Sequence, residues 1–252
     1  GVRCSLYSRF LGEIRQIATG VDALMKKKKP IIGYTGSDRF DALQWLIALS
    51  IRLAGGKPLR LRPSSPKYET KIDGLLLGGG VDISPSLYAH QMKLSYDYDQ
   101  ERDDMEIKWM KAVTDNDLPI LAICRGVQML NVWRGGTLHA DISKIHEAEN
   151  YPTGLIGYLL YRKKITIGED TLLHNILGTD RLMVNSLHRQ ALDDLGDGVK
   201  VTALEDNGIA QAMEVPKMKF CLGLQFHPEA LIYRKDCRRI FEAFVSAATT
   251  NI

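Results

Sequence analysis

The chain has 252 residues, of which 45% are hydrophobic and 25% charged, with a formal net charge of +3. These values are typical of a globular protein with one large domain and a full core. So small a net charge gives no basis for nucleic-acid binding. No apolar stretch approaches the roughly 20 residues that span a bilayer, so no membrane association is predicted.

Residues 1–28 are predicted to form a helical N-terminal extension that precedes a domain of residues 29–252. Apolar residues at loose helical spacing favour a helix that packs on the domain or on a partner: Leu6, Phe10, Ile14, Ile17 and Leu24. The segment lacks the continuous apolar region of a secretory signal. The alternative, that the residues before Met25 lie upstream of an ordinary cytosolic start, stays open.

From Pro30 onward the sequence alternates between strands and helices. Strands are predicted at Pro30 to Tyr34, Pro58 to Leu61 and Asp73 to Leu77. The helix between the first two is expected to begin at Asp38 or Asp41. Its predicted buried stripe consists of Ala42, Trp45, Leu46, Leu49 and Leu53.

A second helix is predicted after the acidic segment Asp97 to Asp104, because acidic residues suit a helix N-terminus. Its apolar residues are Met105, Trp109, Ala112 and Val113. Alternating strands and helices predict an α/β fold with a mainly parallel sheet and helices on both faces.

Three consecutive glycines, Gly78 to Gly80, follow the third strand. Glycine lets the backbone N–H approach a ligand closely. No complete phosphate-binding motif follows, so a phosphate cradle is weakly supported. An oxyanion-binding loop and a simple turn both stay open.

The apolar run Ile120 to Ile123 is predicted to be a buried strand that enters a helix through Cys124-Arg-Gly126. This is the pattern of a nucleophile elbow. The helix N-terminus would stabilise a Cys124 thiolate, and the Arg125 N–H would point at the group that the sulfur attacks. On the elbow alone, a buried structural cysteine is an equal alternative.

The other cysteines, Cys4, Cys221 and Cys237, show neither zinc nor disulfide spacing. Free thiols suit a reducing compartment, so we expect a cytoplasmic protein. Cys237 is predicted to lie in the core on a C-terminal helix with Ile240, Phe241, Phe244 and Val245.

The second half is predicted to be a smaller β-rich section. Its strands are Lys164 to Ile167, Leu182 to Asn185, Val199 to Leu204, Ile209 to Glu214 and Phe220 to Gln225. His227 and Glu229 follow the last strand, two residues apart and therefore on the same side of an extended segment. A cysteine nucleophile needs such a base, and an acidic neighbour would orient the imidazole.

Four motifs resemble the class I glutamine amidotransferase superfamily and, within it, the γ-glutamyl-γ-aminobutyrate hydrolase branch. They are Gly78-Gly-Gly-Val-Asp-Ile-Ser-Pro85, Cys124-Arg-Gly-Val-Gln128, Val184-Asn-Ser-Leu-His-Arg-Gln190 and Gln225-Phe-His-Pro-Glu229. The resemblance covers about Lys29 to Ala248. It implies a flavodoxin-like sheet.

The resemblance also implies a catalytic triad of Cys124, His227 and Glu229. The implied oxyanion hole combines the Arg125 N–H with the glycine loop, at Gly80 or Gly79. The implied substrate-binding residues are Gln128, Asn185, Ser186 and His188. The substrate would be a small γ-glutamyl compound, cleaved through a thioester without a metal or another cofactor.

The chain departs from the branch at three places that rim the pocket. Arg189 follows His188 where the family has a second histidine, Gln211 replaces an acidic residue, and Lys163 replaces a histidine. These differences bear on the amine half of the substrate.

Two other functions stay open. The chain could be a glutaminase subunit that delivers ammonia to a synthetase partner, docked through residues 1–24, or a non-enzymatic binding module. A homodimer also stays open.

Overall fold

The computed structural model describes residues 28–39, 42–88, 98–142, 161–186 and 188–250. Nearly all of the predicted N-terminal extension, residues 1–27, lies outside these ranges. In chain order the elements are β1 (Ile31–Thr35), α1 (Ala42–Leu53), β2 (Lys57–Leu61), β3 (Gly74–Leu77), α2 (Gln100–Asp115), β4 (Ile120–Ile123), α3 (Arg125–Trp133), β5 (Leu138–His139), β6 (Lys163–Ile167), α4 (Leu172–Leu177), β7 (Arg181–Val184), β8 (Ala191–Leu192), β9 (Lys200–Glu205), β10 (Ala210–Glu214), β11 (Cys221–Leu224) and α5 (Lys235–Thr249).

Nine strands form one sheet in the order β2-β1-β3-β4-β11-β10-β9-β6-β7. The neighbours from β2 to β11 pair in parallel, and the strands from β11 to β7 pair antiparallel. The predicted parallel sheet is confirmed, and the β-rich section extends the same sheet. Because β4 and β11 are parallel neighbours, the Cys124 and His227 segments leave the sheet at the same edge.

Helices cover both faces of the sheet, as predicted. One apolar cluster contains residues of α1, α4 and α5, and the other contains residues of α2 and α3. The C-terminal helix buries the predicted face, including Cys237 at 1% exposure. The short helix α4 was not predicted; Thr171 is its N-cap, and Gly178, in the left-handed conformation, is its C-cap.

The predicted buried face of α1 is wrong. Trp45 is 58% exposed and Leu53 is 64% exposed, whereas Ile47, Ala48 and Ile51 pack in the core. Both sets of residues follow the three- and four-residue spacing of a helix face, and both are apolar, so the pattern alone could not choose between them.

The expected N-cap at Asp38 is also absent, because that carboxylate accepts hydrogen bonds from the N–H and hydroxyl of Ser64. Asp41 lies outside the described residues. None of the described helices is both long and apolar enough to cross a membrane.

Candidate active site

Cys124 lies in a sharp turn between β4 and α3, with φ of 51° and ψ of −106°. A residue with a β-carbon rarely adopts positive φ, so the backbone of Cys124 is strained in this turn. The first N–H groups of α3, starting at Arg125, have no acceptor within the helix. Gly126 packs so closely on the carbonyl oxygen of Leu77 that a side chain would collide with it. The predicted elbow is therefore present.

Cys124, His227 and Gly79 converge at the carboxyl edge of the sheet. A β-carbon built on Gly79 would lie 2.9 Å from Cε1 of His227 and 3.9 Å from Cβ of Cys124. Cys124 is 8% exposed and His227 is 2% exposed. The glycine leaves just enough room for the sulfur and the imidazole to lie beside the loop.

Glu229 orients the imidazole of His227. Its Oε1 accepts a hydrogen bond from Nδ1 of His227 at 2.8 Å, and both side chains are buried. Among the described residues, Oε2 of Glu229 has no hydrogen-bond partner. The other side of the ring serves Cys124, and a side-chain hydrogen bond in which the protonated imidazole donates to the sulfur joins the two residues.

Burial alone would lower the pKa of His227, because a buried charge loses hydration. The Cys124 sulfur and the Glu229 carboxylate outweigh burial and hold the pKa of His227 well above its ordinary value. This arrangement favours a thiolate–imidazolium pair, the form in which cysteine is nucleophilic.

Asn185 holds the backbone of His227 rather than projecting free polar groups. Its Nδ2 donates to the carbonyl of His227 at 3.1 Å, and its Oδ1 accepts from the N–H of His227 at 2.9 Å. Asn185 is predicted to bind substrate; in the structure both the nitrogen and the oxygen of its side-chain amide bond to the backbone of His227.

Gln128, another predicted substrate-binding residue, is 4% exposed on α3. Its Nε2 donates to the carbonyl of Gln190 at 2.9 Å and to Oε1 of Gln225 at 3.2 Å. Sequence reasoning missed Gln225, although the register of the last strand could have placed it beside Cys124.

Ser186 and His188 belong to a buried polar cluster next to Asn185. Ser186 Oγ lies 3.1 Å from Nε2 of His188 and donates to Oε1 of Glu205 at 3.0 Å. Gln211 Nε2 also donates to Glu205, at 2.6 Å, and Nζ of Lys163 lies 3.5 Å from the same carboxylate. Two of the three departures from the family pattern therefore meet at one buried carboxylate.

The pKa of His188 is lowered to about 4, chiefly by burial and also by His227, whereas the Gln190 carbonyl and Glu205 act in the opposite direction. The unfolded chain takes up this proton near pH 6.5, and the folded chain takes it up only near pH 4. The contribution of neutral His188 to stability is therefore complete above pH 6.5 and is lost as the pH falls between these values.

We expect His188→Asn to reduce this pH dependence. The asparagine can still donate to the carbonyl of Gln190, which accepts from His188 Nδ1 at 2.8 Å. The difference in unfolding free energy between parent and variant should fall by about 3 kcal/mol between pH 7 and pH 4. Urea denaturation of both proteins at several pH values measures it. A difference that does not change with pH would show that His188 is not neutral in the folded protein.

A buried ionic cluster supports the glycine loop. Glu106 accepts from Thr35 Oγ1 at 2.6 Å, from Arg102 Nε at 2.9 Å and from Nη1 of Arg125. Arg102 also donates to the carbonyl of Gly78 at 2.8 Å.

Asp103 completes the cluster on the other side of the loop. It accepts from Nη2 of Arg125 and from the N–H of Ser84 at 3.2 Å. The predicted acidic lead-in to α2 therefore has two roles. Asp99 caps the helix by accepting from the N–H of Arg102 at 3.1 Å, while Asp103 is buried.

Gly80 lies against the guanidinium of Arg102. A β-carbon built on Gly80 would lie 3.3 Å from Cδ of Arg125. Gly79 is thus the loop residue beside Cys124 and His227, and Gly80 is the loop residue beside Arg102 and Arg125. Within the described ranges, no group of three or more His, Cys, Asp or Glu side chains is arranged to hold a metal ion. His90 and His146 lie outside these ranges.

The fold is that of a glutamine amidotransferase of the flavodoxin-like class. The crystal structure of a glutamine amidotransferase from Thermotoga maritima superposes with a TM-score of 0.58 at 18% identity, covering 87% of this chain and 84% of that chain. At this identity the similarity shows the fold alone.

Sequence comparison gives the family. The model of the peptidase C26 family matches residues 25–229. Protein NtpR of Enterococcus hirae is 36% identical over 192 residues, covering 71% of this chain and 78% of that protein. The γ-glutamyl-γ-aminobutyrate hydrolase PuuD of Escherichia coli strain K12 is 30% identical over 212 residues, covering 79% and 83%. The chain belongs to the peptidase C26 family of the class I glutamine amidotransferases.

Proposed function

We propose that the chain is a cysteine-dependent hydrolase that cleaves the γ-glutamyl amide bond of γ-glutamyl amines or peptides, releasing glutamate and an amine. The observation that carries this proposal is the convergence of Cys124 with the His227–Glu229 pair at one sheet edge. The similarity to a γ-glutamyl-γ-aminobutyrate hydrolase supports the substrate class.

In the acylation half-reaction, the Cys124 thiolate attacks the γ-carbonyl carbon and forms a C–S bond. The C–N bond then breaks, and His227 transfers its proton to the departing amine. Glu229 keeps the imidazole in the orientation and tautomer that direct one nitrogen at the sulfur. The product is a γ-glutamyl thioester on Cys124.

In the deacylation half-reaction, neutral His227 removes a proton from water, and the resulting hydroxide attacks the thioester carbonyl. The C–S bond breaks, its electron pair returns to sulfur, and glutamate leaves. The His227 proton then pairs with the regenerated thiolate. Each step uses one acid–base group, so the cluster of Cys124, His227 and Glu229 is sufficient for proton transfer.

The oxyanion of both tetrahedral intermediates would be stabilised by the Arg125 N–H and by a backbone N–H of the Gly79–Gly80 segment. Arg125 begins α3, whose N-terminal dipole adds to this stabilisation. In related chemistry, one such donor contributes about 10²- to 10³-fold to kcat. The ionic cluster holds both donors, because Arg125 and the loop carbonyl of Gly78 are anchored to it.

The proposal is tested by incubating the purified chain, without any partner, with glutamine and a panel of γ-glutamyl amines and peptides. Release of glutamate is the readout, and Cys124→Ala is the blank. We expect turnover of one or more γ-glutamyl amines by the chain alone. Glutamate release from glutamine only in the presence of a synthetase would support the amidotransferase subunit, and no turnover of any compound would contradict hydrolysis.

Gly79→Ala should lower kcat/KM by about 100-fold, because the added methyl would push His227 out of line with the sulfur. Gly168→Ala is the matched control, since its β-carbon would meet neighbours only at ordinary distances, the nearest being 3.4 Å away. Initial rates of glutamate release measure both variants. Parent-like kcat/KM in Gly79→Ala would show that the loop does not lie against the base.

A further inference from the structure

We infer that Gln225 is a further catalytic residue, which donates an N–H···S hydrogen bond to the Cys124 thiolate, and that Gln128 is the positioning residue that fixes the Gln225 amide. This inference rests on the proposed role of Cys124 as the nucleophile. It also gives Gln128 a role different from contact with the substrate.

The register of two parallel strands places Gln225 beside Cys124. Ile123 pairs with Leu224 in the last step of the β4–β11 ladder, so the next residue of each strand lies alongside the other. The N–H of Cys124 donates to the carbonyl of Leu224 at 2.7 Å, and the N–H of Gln225 donates to the carbonyl of Gln211 at 3.0 Å. The backbones of Cys124 and Gln225 are therefore fixed at the point where their side chains meet.

The Gln225 amide reaches the sulfur. Its Nε2 lies 3.7 Å from Sγ of Cys124, a normal separation for a hydrogen bond to sulfur. Gln225 is 1% exposed and Cys124 is 8% exposed, so water has little access to this contact. Gln225 and His227 both belong to the short segment that joins β11 to the following 3₁₀ helix, Pro228–Leu231.

The orientation of the amide follows from its other partners. The carbonyl of Gln190 can only accept, so Nε2 of Gln128 must be the atom 2.9 Å from it. That nitrogen donates its second hydrogen to Oε1 of Gln225 at 3.2 Å. Since the oxygen of Gln225 accepts from Gln128, its nitrogen faces the sulfur. Three hydrogen bonds therefore form a chain, which we call the relay: Gln128 donates to the carbonyl of Gln190 and to the oxygen of Gln225, and Gln225 donates to Cys124.

A buried thiolate loses hydration and needs donors in place of water. The imidazolium of His227 supplies one, and the Gln225 amide supplies a second that does not change protonation state. Hydrogen bonds to an anion are stronger than those to a neutral atom, so the contact favours thiolate over thiol and over thioester. In deacylation, the same contact stabilises the negative charge that develops on sulfur when the C–S bond breaks and its electron pair returns to sulfur.

The test measures alkylation of Cys124 by iodoacetamide in the free protein, across about pH 5 to pH 9, with peptide mass spectrometry to assign the site. A Cys4→Ser background removes the thiol outside the described residues. Burial raises the pKa of Cys221 and of Cys237 to about 12, so these thiols stay protonated. Melting temperatures are measured in parallel.

Gln225→Met keeps the size of the side chain and removes the donor. We expect about tenfold slower alkylation at neutral pH and an upward shift of about one pH unit in the midpoint of the pH–rate profile. Gln225→Glu keeps the hydrogen bond from Gln128 but puts a carboxylate beside the sulfur. The upward shift of the midpoint should therefore be larger in Gln225→Glu than in Gln225→Met. Gln128→Met should produce a smaller shift in the same direction.

The matched control is Gln44→Met, a buried glutamine on α1 outside this relay, which should keep the parent profile. Variants of Gln225 that melt at a lower temperature but keep the parent midpoint would overturn the inference, because a packing role alone predicts that result. A Gln128→Met protein with the parent midpoint and a raised KM would overturn the positioning role and favour substrate contact.

The inference and the proposed function can fail separately. If the parent protein alkylates at Cys124 but releases no glutamate from any γ-glutamyl compound, the proposed function fails, and the shift in Gln225→Met still supports the N–H···S contact. If the parent hydrolyses its substrate and Gln225→Met alkylates like the parent, only the inference fails.

Discussion

Cys124→Ala should lower kcat/KM for glutamate release by at least about 10⁴-fold, because without the sulfur no thioester can form. The remaining activity would come only from substrate binding and the oxyanion donors. Far-UV circular dichroism and the melting temperature should stay close to those of the parent, since the substitution removes a single sulfur atom at a site that keeps some exposure.

Cys221→Ala is the control for this prediction. Cys221 is buried at the start of β11, at the opposite end of the strand from Gln225, and its loss should leave the rate unchanged. A second variant, Cys124→Ser, tests whether a hydroxyl can replace the thiol, and we expect it to be nearly as inactive as the alanine. A Cys124→Ala protein that cleaves at the parent rate would refute the proposed role of the cysteine.

Glu106→Gln should destabilise the fold by about 3 to 5 kcal/mol, the usual cost of removing one partner from a buried ion pair. Glu106 accepts from Arg102, Arg125 and Thr35, and the amide would leave an excess of positive charge in the cluster. Burial would raise the pKa of Glu106, but Arg125 and Arg102 hold it below its ordinary value. The carboxylate is therefore charged at neutral pH.

Chemical denaturation of the parent and of Glu106→Gln measures this loss. Asp115→Asn is a matched control on the same helix, because its pair with Lys111 at 3.0 Å is exposed, at 59% and 73%, and should contribute under about 0.5 kcal/mol. Equal destabilisation by both substitutions would show that the cluster around Glu106 is not a closed buried network.

The elements that carry the candidate site could be predicted because their local patterns allow few alternatives. The run Ile120 to Ile123, bounded by Pro119 and the Cys-Arg-Gly turn, has the predicted bounds in the structure. His227 and Glu229 were expected on the same side of an extended segment; the structure joins them at 2.8 Å, but through a short 3₁₀ helix, Pro228–Leu231, of which His227 is the N-cap.

The face of α1 could not be predicted, because Trp45 and Ile47 lie on different apolar faces and only the position of the sheet decides between them. The burial of Asp103 and Glu106 was also missed. Carboxylates near a helix N-terminus usually face solvent, and the sequence does not show that Arg125, which follows Cys124, pairs with both of them.

Two side chains that are predicted to contact substrate, Gln128 and Asn185, make internal hydrogen bonds in the structure, and these bonds could not be predicted. Asn185 reaches the backbone of His227, and Gln128 reaches Gln190 and Gln225, each across at least 42 positions of sequence. Sequence spacing cannot show such long-range pairs. The substrate contacts that the resemblance implies for these residues stay a prediction, and the hydrogen bonds support a positioning role for them.

The central claim is that Cys124 carries the γ-glutamyl group during turnover. Its most direct test is to mix the protein with a γ-glutamyl amine, quench with acid within a turnover and measure peptide masses. We predict that the peptide containing Cys124 gains the mass of one γ-glutamyl group, and that Gly79→Ala, with its displaced base, accumulates less of this adduct. Release of glutamate with no adduct on Cys124, or with the adduct on another residue, would contradict the account.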